Sequence, residues 1–275
     1  MKYKILLASS IFAAAFLIAA LINRKVDTSM ALEADALSPV EGRKAVLVEL
    51  FTSEGCSSCP PADRLLSELV QSQMVAGAEV IALSEHVDYW NRLGWADPFS
   101  SSAFSERQRI YSQVFENDSV YTPQMIVDGR EEFVGSNAAR ARNAIAQAAR
   151  TAKATVTLSA LPSEANRAAI KIHIENLPAA TEGDKVEVIL AITESELQSN
   201  VTRGENTGRK LAHTAVTRKM ESIGSLQQGD SFDREAAVDI DKGWNRDHLR
   251  AVVFLQERRS RRVLGAAAIS LARKP

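Results

Sequence analysis

The hydrophobic rhythm of the chain changes twice. "KAVLVELF", Lys44 to Phe51, is a nearly continuous apolar run closed by Thr52, Ser53 and Gly55, the pattern of a strand buried in a parallel sheet. Leu65, Leu66, Leu69 and Val70 then recur at helical spacing. Pro60 and Pro61 suit the first turn of that helix, where amide hydrogens lack intrahelical partners anyway. Val80 to Leu83, within "AEVIALSEHVDYW", repeats the strand pattern, and a strand, helix, strand order of this length implies a right-handed crossover between parallel neighbours. Ser100 to Val114 reads as a second helix. In "YTPQMIVDGREEFVGS" two short strands flank a hairpin turn at Asp128-Gly129, and Ser136 is placed to cap a last, alanine-rich helix, "NAARARNAIAQAAR".

Beyond about residue 153 polar and apolar positions alternate instead. "ATVTLSAL", "AAIKIHIENL", "KVEVILAITES", "AHTAVTRKM", "EAAVDI", "LRAVVFLQE" and "RVLGAAAISL" are separated by loops containing Pro, Gly or Asn. Seven such runs predict an antiparallel β-sandwich. The expected fold is an α/β domain over residues 45–153 followed by an all-β antiparallel sandwich over 154–275.

The first residues have a third texture. Lys2 and Lys4 precede an uncharged, mostly apolar run from Ile5 to Ile22, before Arg24 and Lys25. This is a signal peptide or an N-terminal membrane anchor over residues 1–25, followed by a polar linker over 26–44. Either implies export to the periplasm or another extracytoplasmic, oxidising compartment, where disulfides persist. With 33 basic against 34 acidic residues and a net charge of -1, no stretch offers the basic face that a phosphate backbone requires, so nucleic acid is not an expected partner.

The chain has two cysteines, both in "FTSEGCSSCPPAD". A crosslink between residues three apart constrains the unfolded chain little, so stabilisation is a weak reason for it. With Cys56 at the mouth of the first helix, the helix dipole would favour its thiolate, and Cys59, about one turn further in, could resolve a mixed disulfide. The pair carries the electrons itself, so no separate cofactor is expected. A copper-handling or redox-inert binding protein using Cys56, Cys59 and His86 is the alternative. His86 ends the second strand and projects toward the cysteines, whereas His173, His213 and His248 lie far off in sequence. The four soft ligands of a structural zinc site are absent, and no resident metal is expected. "RGENTG", residues 203–208, lacks the strand-to-helix context of a phosphate cradle, and "ERRSRR" reads as a solvated hairpin tip.

The order strand, C-x-x-C, helix, strand, helix, Thr-Pro-strand, hairpin, helix resembles the thioredoxin superfamily. More narrowly, "ELFTSEGCSSCPPAD", "SEHVDYWNRLGWADPF", "YTPQMIVDG" and "TRGENTGRKL" resemble an exported bacterial thioredoxin-like family catalogued as a domain of unknown function. The resemblance implies a thiol-disulfide oxidoreductase acting on cysteines of protein or peptide substrates, with a redox partner to regenerate it. Cys56 would be the nucleophile, Cys59 the resolving thiol and Glu49 a buried proton relay. Pro123, in the place of a cis-proline, would clamp the substrate together with Thr122. Apart from the resemblance, His86 from its strand position and Trp90, as part of an aromatic lid over the disulfide with Trp95, are expected as further substrate-binding residues. The sequence departs from the thioredoxin pattern in having Gly55 before the first cysteine and two serines between the pair, so the direction of electron flow does not carry over.

Overall fold

The computed structural model describes residues 42–164 and 166–273. The leader expected over residues 1–25 and nearly all of the expected linker lie outside the described residues. Among the described residues no helix is long and apolar enough to cross a membrane.

β1 (Lys44–Thr52) and β2 (Ala78–His86) pair in parallel along their whole length, so that Thr52 and His86 end side by side. Between them runs α1 (Pro60–Ser72), which begins with its two prolines and buries Ala62, Leu65, Leu66 and Leu69. α2 (Ser102–Val114), β3 (Gln124–Val127), β4 (Glu131–Val134) and α3 (Ala138–Ala148) follow. Asp128 and Gly129 turn between β3 and β4 with φ of 51° and 61°, as the hairpin signal requires. α3 is capped one residue later than expected, because the Asn137 side chain and not Ser136 accepts the Arg140 amide, at 3.0 Å.

The rest of the chain forms β5 (Thr155–Leu161), β6 (Arg167–Glu175), β7 (Val186–Glu194), β8 (Leu197–Asn200), β9 (Lys210–His213), β10 (Val216–Leu226), β11 (Phe232–Asp239), β12 (Leu249–Glu257) and β13 (Val263–Ser270). The run "AHTAVTRKM" divides into β9 and β10, and β9 forms a hairpin with β8 that the alternation pattern did not reveal.

The expected α/β thioredoxin-like domain followed by a separate sandwich is not what these strands build. One mixed sheet of eight strands, in the order β13-β12-β7-β10-β2-β1-β3-β4, runs through both halves of the chain, and strands far outnumber the three α-helices described. The seam is between β10 and β2, where Val216 stands beside Ser84 in parallel and the Ser84 amide bonds to the Ala215 carbonyl at 2.8 Å. The physical reason is the edge of β2. Buried on both faces, that strand would carry a row of unpaired backbone groups if the first half ended there, and β10 covers part of that edge. Packing agrees: Leu47, Ile81 and Leu83 share one apolar cluster with Ile189, Val252, Phe254 and Ala266. The second layer, a three-stranded sheet in the order β11-β6-β5, packs over β7, β12, β13 and the far end of β10 at Ile223 and Leu226.

Alternate residues of β1 serve opposite faces. Val46, Val48 and Leu50 pack with α1 and α3, whereas Phe51 packs with Tyr111 of α2. The two halves also meet at their turns. The Val263 amide bonds to the Asp128 carbonyl at 2.8 Å, and a side chain on Gly129 would overlap the Arg261 carbonyl. Since the φ of Gly129 also strains any L residue, Gly129→Ala is expected to cost about 2 kcal/mol or more, measured as a shift in denaturant midpoint.

Candidate functional site

Between β1 and α1 the chain crosses the end of the sheet as Ser53 to Cys59, and Cys56 and Cys59 form a disulfide with Cα atoms 5.4 Å apart. Cys59 is the residue that caps α1, so Cys56 lies about a turn ahead of the helix and not at its mouth. The helix start offers little to a thiolate. Two of its first positions are prolines without amide hydrogens, and the amides of Ala62 and Asp63 both donate to the Cys59 carbonyl, at 2.8 and 3.1 Å. The Ser58 hydroxyl, 3.3 Å from Cys56 Sγ, is a polar neighbour of that sulfur.

Ser57 and Ser58 are exposed, yet both cysteines are fully buried. Several segments cover them. Trp90 stacks its Cβ against Gly55, where an added Cβ would sit only 3.1 Å away, and its indole Nε1 donates to Thr122 Oγ1 at 2.8 Å. The Thr122-Pro123 peptide is cis. Gly135, by the same reasoning, admits Pro123 and Ala62 of α1 within 3.3 Å of where its Cβ would be, so the proline stands beside the first turn of the helix. The expected residues Cys56, Cys59, Trp90, Thr122 and Pro123 therefore come together.

A further cover arrives from the β8–β9 hairpin. Asn206, fully buried, donates through Nδ2 to the carbonyls of Glu54 (2.8 Å) and Cys56 (3.0 Å), and Glu205 accepts the Ser57 amide at 3.0 Å. The Ser57 side chain, together with that amide, holds the exposed Glu205 carboxyl below its ordinary value. Gly204 with φ 75° leaves room for Trp95, whose indole donates to Glu54 at 2.8 Å.

Beneath the disulfide lies a group of buried ionisable side chains. Asp63, one helical turn beyond Cys59, accepts a hydrogen bond from Thr52 Oγ1 at 2.8 Å. His86 Nδ1 meets Asp97 at 2.7 Å, Asp97 also accepts the Glu54 amide at 2.8 Å, and His213 Nε2 meets the Glu54 carboxylate at 2.9 Å. The two imidazoles stand edge to face with centroids 4.8 Å apart. Burial raises the Asp63 pKa, against the pull of His213 and His86. Burial works against charge on His86, but the attraction and hydrogen bond of Asp97 outweigh it and the net shift is upward. For Asp97, burial is outweighed by His86 and the backbone amides, so its pKa falls, and the two shifts each favour the charged partner of the pair.

Two expected residues have other places. Glu49 is fully buried, but it alternates with Leu50 and faces α2, where Arg107 Nε holds it at 2.7 Å and the Tyr111 hydroxyl donates to it. It lies on the opposite sheet face from α1 and cannot relay protons to Cys59; a one-residue difference in strand register reverses the face. His86 is fully buried with Asp97 on one nitrogen, so it meets no substrate directly in this arrangement. For the copper alternative, the two sulfurs are already joined, and among the described residues no group of three or more His, Cys, Asp or Glu side chains could hold a metal ion.

Asp63, Glu54, Asp97, His213 and Asn206 were not foreseen. Asp63 had a signal, since it falls on the inward stripe of α1 with Cys59, Leu66 and Leu69, where a carboxylate is out of place. His213 shares the inward alternation of β9 with Leu211. Asn206 had none.

A family model described as "Protein of unknown function (DUF1223)" matches residues 47–256. Among solved structures, protein AGR_C_4864 from Agrobacterium tumefaciens is similar with 24% identity and a TM-score of 0.63, covering 85% of this chain and 97% of that one. HBP35 of Porphyromonas gingivalis is similar with 17% identity and a TM-score of 0.62, covering 83% of this chain and 76% of that one. Both likenesses concern the fold. Among curated proteins none matches the chain.

Proposed function

The chain belongs to the family described as Protein of unknown function (DUF1223), whose model spans every residue of the site just described, and on that premise we propose that it is an exported thiol-disulfide oxidoreductase acting on cysteines of protein or peptide substrates. One observation carries the reading. Five buried ionisable side chains, Asp63, His86, Asp97, Glu54 and His213, gather behind a disulfide that as a mere crosslink would need none of them. Burying such groups is costly, and perturbed acids and bases clustered at one place are a signature of chemistry. The resemblance of C-x-x-C facing Thr122-Pro123 to thioredoxin-superfamily sites supports the same reading, and the apolar run after Lys2 and Lys4 supports export.

In the disulfide form the pair accepts two electrons. A substrate thiolate attacks Cys56 Sγ, the Cys56–Cys59 bond breaks, and Cys59 leaves as a thiolate that takes a proton. Asp63, held toward its protonated form by burial and sited one turn beyond Cys59, supplies that proton; this is the role that Glu49 does not fill. The second substrate thiol then attacks the mixed disulfide, releasing Cys56 as a thiol and leaving the substrate oxidised. Run backward, the same steps reduce a substrate disulfide. Pro123 and Thr122, with Trp90 fixed against them, form the surface along which the substrate chain lies.

Because both cysteines are covered, the 203–208 loop must lift before exchange. Asn206→Ala removes two hydrogen bonds, together about 2 kcal/mol, and is expected to raise the rate of disulfide reduction by a water-soluble phosphine at least tenfold. The same oxidised protein, mixed with a dithiol peptide, is expected to exchange. Absence of exchange in both the wild type and the opened variant would sink the proposal.

A further inference from the structure

A cleft of about 710 Å3 opens between α2 and β10, within the size range of small-molecule sites. It is distinct from the disulfide site, although Phe99, one of its walls, touches the rings of both His86 and His213 edge-on at 5.5 Å. Its composition is unusual for a solvent groove. Phe99, Phe104, Met220 and Trp244 give it an apolar lining, while four cations reach it and only two carboxylates, Glu106 and Asp241, both exposed.

The cations are not equivalent. Arg107 is engaged by Glu49 and Glu85, and Lys219 by Glu221 at 3.1 Å. Arg218 pairs with Glu194 at 3.5 Å and lays its guanidinium over both Phe99 and Trp244, 5.5 Å from each ring centre, which holds those two rings in place as facing walls. Arg261 differs. It is 7% exposed, its guanidinium lies against the Tyr111 ring, and its Nε is buried without a hydrogen-bond partner, although Glu49 and Glu85 act on its charge along with Arg107. Thr217, 1% exposed, lines the same cleft with a buried hydroxyl that also lacks a partner. Unpartnered buried polar groups are uncommon and call for an explanation, and two lining one cleft call for a shared one.

We propose that this cleft is a binding site for a small organic acid with an apolar body, its carboxylate taken by Arg261 and Thr217 and its body held between Phe99, Trp244 and Met220. A guanidinium presents paired donors that match a carboxylate, and a hydroxyl can donate to the same oxygen pair. The apolar walls add affinity by burial and exclude fully hydrated inorganic anions. The site is independent of the redox reading and stands whether or not the disulfide exchanges.

The test is isothermal titration of the purified protein with decanoate and with 4-phenylbutyrate, each against its neutral primary amide. At least one acid is expected to bind with one-to-one stoichiometry, at least tenfold more tightly than its amide. Arg261→Met is expected to abolish that preference and Trp244→Ala to weaken acid and amide alike. Should Arg261→Met fail to fold, Met220→Asp, on the half-buried wall, sets a like charge beside the carboxylate and is expected to weaken the acid tenfold or more. No saturable binding of either acid, equal affinity for acid and amide, or acid affinity unchanged in the variants would each overturn the proposal.

Discussion

Cys56→Ser is expected to bring the reduction of a disulfide-bonded peptide by the reduced protein down to the uncatalysed rate, whereas Cys59→Ser is expected to keep the first step, in which Cys56 opens the peptide disulfide and releases one peptide thiol, and to accumulate a mixed disulfide. The contrast follows from the order of attack. Without Cys56 no thiolate opens the peptide disulfide, and without Cys59 no protein thiol displaces the peptide from the mixed disulfide. A structural crosslink predicts a different result: both variants lose the same stability and no activity is at stake. For a loop closed by residues three apart, chain entropy puts that loss at about 2 kcal/mol. Measuring exchange rate and denaturant midpoint on the same two variants separates the readings. Equal small losses of stability with no trapped species would leave the disulfide a staple.

The largest effect on stability is expected from Arg107→Met. Arg107 is 8% exposed and donates at once to Glu49 and to the Gln256 side-chain Oε1 at 3.0 Å, with Glu85 at 3.4 Å. Glu85 is fully buried with neither carboxylate oxygen hydrogen-bonded, and burial pushes its pKa well above the ordinary value even with Arg107 present. Removing the cation leaves two buried carboxylates facing each other, for which about 3–5 kcal/mol is the usual loss. The sign of the pH dependence follows. Burial already holds the Glu85 pKa above its unfolded value and Arg107 opposes that rise, so losing the cation raises it further, and the penalty is full above that folded-state pKa and shrinks as pH falls and Glu85 takes up a proton. Unfolding curves at pH 7 and pH 5 check it, and a deficit under 1 kcal/mol at pH 7 would show that the pair is replaceable.

This buried quartet shows where sequence reading ran short. Glu49 was legible as buried, since valine and leucine flank it, but not as facing α2, because a strand buried on both faces carries no alternation to reveal which side a residue serves. The helix prolines, the Asp128-Gly129 turn and the position of the Thr122-Pro123 bond were legible, since each depends on the residue's own backbone chemistry. Asn206 and His213 were not. They lie some 150 residues from the disulfide loop in sequence and reach it only through the β8–β9 hairpin.

The sequence by itself determined the local elements, the cysteine pair at a strand-to-helix junction, and the two textures of the chain. Tertiary structure alone decided that these textures share a single sheet, that the acid beside Cys59 is Asp63, and that both sulfurs are covered. The reason is that periodicity records how much of a strand is buried, while strand order and contact across the sheet come from closing an edge against a distant partner, which leaves no local trace.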